Sequence, residues 1–122
     1  MENCIFCKIV QKDIPGKIIY EDDVCLAFLD LSQTTDGHTL VIPKKHCKNI
    51  LEVDDETLAH LIVVTKKLAN KIVKNLNANG VNILTNANEI AGQTVMHFHI
   101  HIIPRYNLDD KIEINFTDRS DD

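Results

Sequence analysis

The chain has 122 residues, enough for one domain built around a single hydrophobic core. Its residues are 44% hydrophobic and 25% charged, as in ordinary globular proteins. A net charge of −5 without a basic stripe argues against nucleic acid as a partner, and no apolar run reaches the length of a membrane span. Because no signal peptide precedes the first cysteine, we expect a cytoplasmic protein whose four cysteines are thiols or metal ligands.

A C-x-x-C motif occupies residues 4–7. Such a pair can be a redox couple, half of a zinc site or two incidental buried thiols; the redox type usually follows a strand, and no strand precedes this one. Zinc would need two further ligands, and His46 and His97 are available. Apolar residues at helical spacing also predict a short helix that begins near Ile5 and ends before Pro15.

Three strands are predicted next, over residues 17–20, 24–30 and 38–42. The second is almost wholly apolar, which is typical of a central strand covered on both faces. Asp30 ends it, and its carboxylate is either a turn residue or an acceptor for the two hydroxyl groups of a ribose. His38 begins the third strand, where a single histidine is most often a surface or capping group.

A long helix is predicted over residues 54–76, with Asp54 as N-cap and Gly80 near the end as a stop signal. Its apolar stripe is expected to face the core and comprises Leu58, Leu61, Ile62, Thr65, Leu68, Ile72 and Leu76. His60 lies off this stripe, so we expect it to be exposed. A further strand is predicted over residues 81–86.

Histidines and apolar residues alternate from residue 97 to residue 102. This period of two predicts a strand that carries His97, His99 and His101 on one face and apolar groups on the other. Pro104 has no amide hydrogen, so we expect strand pairing to stop there. The elements together indicate an α+β domain of residues 1–122 with a mostly antiparallel sheet, a last short strand at 111–116 and a flexible acidic tail at 117–122.

The histidine row has two interpretations that carry function. Three imidazoles can bind a catalytic metal such as zinc or copper. Alternatively, one imidazole is a nucleophile and its neighbours are hydrogen-bonding partners. Gln93 and Thr94, just upstream, offer an amide and a hydroxyl that suit phosphate oxygens better than a metal.

Residues 97–103, His-Phe-His-Ile-His-Ile-Ile, resemble the motif of the histidine triad (HIT) superfamily of nucleotide hydrolases and transferases. The flanking residues 92–95 and 104–105 are similar to those of the family, and the resemblance extends back to about Cys4. It implies a HIT-like fold with about five strands, one long helix and a short N-terminal helix. It also implies a homodimer that pairs strands and long helices across a two-fold axis.

The resemblance implies an enzyme that cleaves at the α-phosphate of an adenosine nucleotide conjugate and releases a nucleoside monophosphate. His99 matches the family's nucleophile, which forms a nucleotidyl-histidine intermediate. His101, Gln93 and Asn86 are expected to bind the phosphate oxygens. Thr94 is expected to donate to the leaving group, and His38 to support the triad by hydrogen bonding. Asp30 matches the ribose-binding aspartate of a pocket whose walls include Ile5, Phe6, Ile9 and Leu31.

Metal-containing members of the superfamily resemble this chain in a second set of residues. Carried over, their ligands are Cys4, Cys7, His46 and His97, which predicts a structural zinc ion. Two alternatives remain: a metal-dependent hydrolase that uses the triad as ligands, and a zinc-stabilised nucleotide-binding module without turnover. The leaving group stays open, because Pro104-Arg105 resembles the dinucleoside-polyphosphate branch and the segment 43–46 resembles the phosphoramidase branch.

Overall fold

A computed structural model describes residues 3–110 and 112. Its elements follow the predicted order, with a short 3₁₀ helix before the last strand: α1 (Ile5–Val10), β1 (Ile18–Glu21), β2 (Cys25–Leu29), β3 (Thr39–Pro43), α2 (Asp55–Leu76), β4 (Gly80–Leu84), the 3₁₀ helix (Glu89–Ala91) and β5 (Ile100–Arg105). The five strands form one sheet in the order β1-β2-β3-β5-β4, and every neighbouring pair is antiparallel. The predicted fold class is therefore confirmed. The strand predicted at 111–116 and the tail at 117–122 lie outside the described residues, apart from residue 112.

The two faces of the sheet are covered by different helices, as the period of two in β2 and β3 requires. Cys25, Ala27 and Val41 pack with the buried side of α2. The intervening residues of the same strands pack on the opposite face with Phe6 and Ile9 of α1, and they are Leu26, Phe28, Leu40 and Ile42. Helix α1 thereby lies on the face opposite α2 and carries the C-x-x-C motif with it.

Helix α2 begins and ends where it was predicted to, although the residue that caps its end is Asn77 rather than the expected glycine. The Asp54 carboxylate accepts a hydrogen bond from the Thr57 amide at 3.0 Å, so Asp54 is the N-cap. At the other end Asn77 takes the left-handed conformation with φ 54°, which asparagine tolerates better than most residues, and Gly80 already belongs to β4. The centre of the predicted stripe is buried, at Leu61, Thr65 and Leu68, whereas Ile62 and Leu76 are 48% and 44% exposed.

The strand that carries the histidines is shorter at its start than predicted. Strand β5 begins at Ile100, so His97 and His99 precede it and only His101 lies in the ladder. The reason is a partner distant in sequence: the Phe98 amide donates to the Cys47 carbonyl at 2.7 Å, so this part of the backbone pairs with the segment after β3. The three rings therefore occupy different surroundings rather than one strand face.

The expectation that pairing stops at Pro104 is wrong, since β5 pairs with β4 through Pro104 and on to Arg105. The Pro104 carbonyl accepts from the Thr35 hydroxyl at 2.6 Å, on the side away from β4. The amide nitrogen and carbonyl of one strand residue point to the same side, so the missing donor also faces away from β4.

The expectation that His60 is exposed is wrong as well, because the residue is half-buried and its Nε2 lies 2.7 Å from Asp22 Oδ2.

Candidate active site

A cavity of about 200 Å³ lies between α1 and the ends of β2 and β5. Its walls are mostly apolar, and its polar lining comes from Asp30, Thr94, His99 and His101. All four residues predicted as pocket walls line it, namely Ile5, Phe6, Ile9 and Leu31, together with Phe28, Leu40 and Val95. The structure thus brings most of the predicted nucleotide-binding residues together, while Gln93, Asn86 and His38 lie outside this lining.

The ring of His99 has a defined protonation pattern. Its Nδ1 lies 2.7 Å from the main-chain carbonyl oxygen of His97. A carbonyl can only accept, so the hydrogen is on Nδ1 and the lone pair is on Nε2. The ring is buried, and this burial lowers the pKa of His99 from its ordinary value despite the hydrogen bond and the carboxylate of Asp30. A neutral ring with a free lone pair is the state that a nucleophile needs.

His101 and His38 form a hydrogen-bonded pair beside the ring of His99. His38 Nε2 lies 3.0 Å from His101 Nδ1 and 3.5 Å from Asp30 Oδ2. Burial lowers the pKa of His38 and lowers that of His101 to about 4, with smaller contributions from the neighbouring imidazoles. Both rings are therefore neutral at pH 7, and one donates a hydrogen bond to the other across the 3.0 Å contact.

The two carboxylate oxygens of Asp30 have different surroundings. Its Oδ1 accepts from the Ser32 amide at 3.0 Å, which is the hydrogen bond of a turn residue. Its other oxygen faces His38 at 3.5 Å, and the side chain lines the cavity. One carboxylate oxygen therefore shapes the turn while the other is available to a hydroxyl group.

Gln93 is buried, and both of its amide hydrogens are engaged within the protein. Nε2 donates to the Lys48 carbonyl at 2.6 Å and to the Val95 carbonyl at 3.0 Å. Oε1 accepts from the Asn88 amide at 2.8 Å and from Asn49 Nδ2 at 3.2 Å. The sequence analysis missed Asn49, which is only 1% exposed; a single asparagine in a loop gives no signal of burial. The prediction that Gln93 contacts a phosphate stays a prediction.

Asn86 and Thr94 lie on either side of the positive-φ residue Gly92. Asn86 is half-buried and its Nδ2 donates to the Gly92 carbonyl at 3.5 Å. Thr94 is exposed and lines both the His99 cavity and a second cavity of about 490 Å³. The two cavities share Ile5, Thr94 and Val95, so Thr94 lies where they adjoin.

The predicted metal ligands converge at the start of α1. One donor atom from each of Cys4, Cys7, His46 and His97 lies within 4.8 Å of the other three. Their contacts include Cys4 Sγ to His97 Nδ1 at 3.2 Å and Cys7 Sγ to His46 Nδ1 at 3.2 Å. These separations fit the edges of a tetrahedron with metal–ligand bonds of about 2.0–2.3 Å, as zinc requires.

The protonation of His97 also suits a metal. Its Nε2 lies 2.9 Å from the Pro43 carbonyl oxygen, which can only accept, so the hydrogen is on Nε2. Nδ1 then presents a lone pair toward the sulfur atoms of Cys4 and Cys7, at 3.2 and 3.4 Å. A ring whose other nitrogen donates to a carbonyl is the usual arrangement of a metal-binding histidine. The donor set therefore fits a closed zinc site.

Comparisons with known proteins agree on one family. A model of the HIT domain family matches residues 11–108. "Protein hit" of Bacillus subtilis is 48% identical over 121 residues, which cover 99% of this chain and 83% of that protein. Adenosine 5'-monophosphoramidase hnt1 of Schizosaccharomyces pombe is 44% identical over 105 residues, 86% of this chain and 76% of that one. Adenylylsulfatase HINT3 of Arabidopsis thaliana is 39% identical over 107 residues, 88% of this chain and 54% of that one.

Solved structures give the same result. A member of the HIT family from Bacillus subtilis superposes with a TM-score of 0.93 at 47% identity, over 98% of this chain and 84% of that one. A zinc-bound histidine triad family protein from Mycobacterium smegmatis reaches a TM-score of 0.86 at 40% identity, over 97% and 86%. The chain therefore belongs to the HIT domain family.

No helix within the described residues combines the length and the hydropathy needed to cross a bilayer.

Proposed function

We propose that the protein hydrolyses an adenosine nucleotide conjugate at its α-phosphate. The Nε2 lone pair of His99 attacks phosphorus, and the bond from phosphorus to the leaving group breaks. The leaving group departs with a proton, and a nucleotidyl-histidine remains. Water then attacks the same phosphorus, the P–N bond breaks, and a nucleoside monophosphate is released. The observation that carries this proposal is the hydrogen bond from His99 Nδ1 to the His97 carbonyl, which leaves Nε2 free.

The remaining side chains supply binding and electrostatic stabilisation in this scheme. Charge grows on the phosphate oxygens as the nucleophile attacks, so fixed donors beside them stabilise the transition state. His101 and Asn86 are the donors we assign to those oxygens, and Asp30 accepts from the ribose hydroxyl groups. The base occupies the apolar part of the cavity, between α1 and the end of β2.

The leaving group is placed by Thr94. Thr94 lines both cavities, so a group expelled from phosphorus would enter the second cavity and receive a proton from the Thr94 hydroxyl. The water that attacks in the second step would return a proton to Thr94. The named relatives act on different bonds, since one is a monophosphoramidase and another an adenylylsulfatase. Hydrolysis rates for one adenosine phosphoramidate, adenosine phosphosulfate and one dinucleoside polyphosphate decide which leaving group this cavity prefers.

Zinc has a structural place in the proposal. Bound by Cys4, Cys7, His46 and His97, the ion would tie the start of α1 to the segment after β3 and to the residue two before the nucleophile. Support comes from the convergent donor atoms and from the zinc-bound relative of Mycobacterium smegmatis. Zinc supplies folding free energy in such a closed site and takes no part in phosphoryl transfer.

A homodimer in the cytoplasm completes the proposal. Strand β4 is at one edge of the described sheet, and its Ile83 is 47% exposed. An apolar residue on an open edge is suited to pairing with a second copy of the same strand. Sedimentation of the purified protein tests this directly, and a monomer at micromolar concentration would contradict it.

A second candidate function is a metal-dependent hydrolase. The three triad histidines do not share one donor cluster among the described residues, since His97 groups with the cysteines and only His101 belongs to a second cluster. That second cluster favours the metal reaction, because Asp30, His38 and His101 bring donor atoms within 4.8 Å of one another. The two candidates differ in what a covalent trap finds. Acid quench of the protein with radiolabelled substrate, followed by peptide mapping, should place the nucleotide on His99. Turnover without any labelled peptide, restored by metal after chelation, would favour the metal-dependent reaction.

A further inference from the structure

The loop between β2 and β3 holds a main-chain amide against the ring of His38. The Thr34 nitrogen lies 3.1 Å from His38 Nδ1. A peptide N–H can only donate, so Nδ1 of His38 must carry a lone pair and accept. A doubly protonated ring would place donor against donor at this contact. His38 is only 3% exposed, and as a neutral ring it carries its single hydrogen on Nε2.

That hydrogen is directed at His101. His38 Nε2 lies 3.0 Å from His101 Nδ1, which is closer than the 3.5 Å to Asp30 Oδ2. If Nε2 of His38 donates, Nδ1 of His101 accepts, and the hydrogen of His101 must be on its own Nε2. Among the described residues no group accepts a hydrogen bond from that Nε2, and the ring lines the cavity beside His99.

We propose that the Thr34 amide, acting through His38, fixes His101 as the tautomer that offers an N–H to the phosphate. Thr34 is then a positioning residue, since it does not touch substrate. Its effect on catalysis rests on the proposed function, whereas the tautomers it sets are a property of the protein alone.

The two rings beside the phosphate would then present opposite groups. The His97 carbonyl fixes the hydrogen of His99 on Nδ1, so Nε2 offers a lone pair. The Thr34 amide fixes the hydrogen of His101 on Nε2, so the same ring position offers a donor. The ring centroids are 4.9 Å apart. A nucleophile next to a hydrogen-bond donor is what attack on a phosphate needs, and here two main-chain groups select them.

The loop is anchored so that the amide stays in place. The Thr35 hydroxyl donates to the Pro104 carbonyl at 2.6 Å, and this contact is buried. The Tyr106 hydroxyl donates to the Asp36 carbonyl at 2.6 Å. The two residues that follow Thr34 are therefore both tied to the end of β5 or to the residue after it. An amide held this way is preorganised and needs no rearrangement when substrate binds.

The experiment is nitrogen-15 NMR of the histidine rings in the whole protein at neutral pH, without nucleotide. We expect hydrogen on Nε2 for His38 and His101 and on Nδ1 for His99. Couplings across the two N–H···N hydrogen bonds should link Thr34 to His38 and His38 to His101. Hydrogen on Nδ1 of His101 would overturn the proposal, and this result needs no variant.

Two variants at one position separate the amide from the side chain. Thr34→Pro removes the N–H, whereas Thr34→Ala keeps it. We expect mixed tautomers of His38 and His101 in Thr34→Pro and the original tautomers in Thr34→Ala. With a nucleotide conjugate, kcat of Thr34→Pro should be about 100-fold below that of Thr34→Ala, a loss typical of one preorganised donor, with little change in KM. Original tautomers in a folded Thr34→Pro protein would refute the proposal.

The two proposals fail separately. Absence of turnover with every nucleotide conjugate would refute the proposed function, while the tautomers measured by NMR would still decide whether the Thr34 amide sets His101. Turnover by a protein in which His101 carries its hydrogen on Nδ1 would support the proposed function and refute the role of the Thr34 amide.

Discussion

The main-chain carbonyl of His97 accepts a hydrogen bond from His99 Nδ1 over 2.7 Å, while the ring of His97 contacts the sulfur atoms of Cys4 and Cys7. One residue thus links the cysteine cluster to the ring that faces the cavity. Because a carbonyl moves with its own residue, whatever holds the His97 ring also orients His99. The cluster can therefore affect catalysis without contacting the substrate.

The first prediction concerns zinc. The purified protein should carry about one zinc per chain, and Cys4→Ser or Cys7→Ser should lose the metal and lower the melting temperature, because the ligands come from three separate segments. Cys47→Ser is the matched control, since Cys47 lies outside the cluster and should leave the zinc content unchanged. Metal analysis and thermal denaturation measure both effects.

A titration with chelator separates stability from chemistry on one sample. A structural ion predicts that the melting temperature and the activity fall together, since the loss of zinc loosens the segment that holds His99. Loss of activity in a protein that is still fully folded would contradict this and would favour the metal-dependent reaction.

Replacement of the nucleophile gives the second prediction. His99→Ala should reduce turnover by about 10⁴-fold or more, as removal of a covalent nucleophile does elsewhere, while nucleotide binding and the fold persist. His60→Ala is the control histidine variant; its ring contacts Asp22 rather than the cavity, so activity should be retained. Comparable hydrolysis by His99→Ala and the unaltered protein would refute the nucleophile assignment.

Asp30 carries the third prediction. Asp30→Asn should raise KM for ribonucleotide substrates about 10- to 100-fold, as expected for a hydrogen bond to a charged group, and leave 2′,3′-dideoxy analogues nearly unaffected. The basis is that Asp30 lines the cavity and that only its Oδ1 accepts the hydrogen bond of the turn. Asp23→Asn, in the exposed turn before β2, is the control. Equal effects on both substrate types would make Asp30 a turn residue only.

The fourth prediction concerns acid stability. Burial lowers the pKa of His101 to about 4, and its facing groups are Asp30, His38 and His99. The unfolded chain binds a proton near the ordinary pKa of about 6.5, whereas the folded one does not until about 4. Stability from this group is therefore complete above pH 6.5 and is lost as the pH falls toward 4. Denaturant unfolding from pH 7 to pH 4 should show a shallower loss for His101→Gln; an identical slope would contradict the assignment.

The sequence predicted the fold well because each element has its own local signal. The apolar alternation in β2 and β3 and the cap of α2 each depend on neighbouring residues only. The failures at His97 and Pro104 have a different origin. Whether a β-like segment joins the ladder depends on its partner, and here the Cys47 carbonyl takes the Phe98 amide while β4 continues past Pro104.

The motif names candidate site residues one by one, but it does not give the directions of their hydrogen bonds. That His99 and His101 receive opposite tautomers depends on the main-chain carbonyl of His97 and on the Thr34 amide, which lies 67 residues before His101. Asn49 likewise lies far from Gln93 in sequence and contacts it only in the fold. Such contacts have no periodicity, so no pattern in the sequence reveals them.

Gln93 carries the last prediction, because its predicted role and its observed contacts differ. If its buried amide mainly holds the loop before the motif, Gln93→Ala should cost about 1–3 kcal/mol of folding free energy, the cost of leaving buried partners unsatisfied. Asn49→Ala should have a similar cost, since Asn49 donates to the same oxygen. Lys48→Ala is the control, because only the main-chain carbonyl of Lys48 takes part and its side chain is exposed.

Kinetics on the same three variants distinguish the two roles. A loop-holding Gln93 predicts that Gln93→Ala and Asn49→Ala lose stability and activity in parallel. A Gln93 that donates to a phosphate oxygen during turnover predicts a much larger fall in kcat for Gln93→Ala than for Asn49→Ala, because only the former removes a donor from the transition state. Chemical denaturation gives the stabilities, and steady-state rates with a nucleotide conjugate give kcat. A stable but inactive Gln93→Ala protein would show that the amide leaves its carbonyl partners when substrate binds.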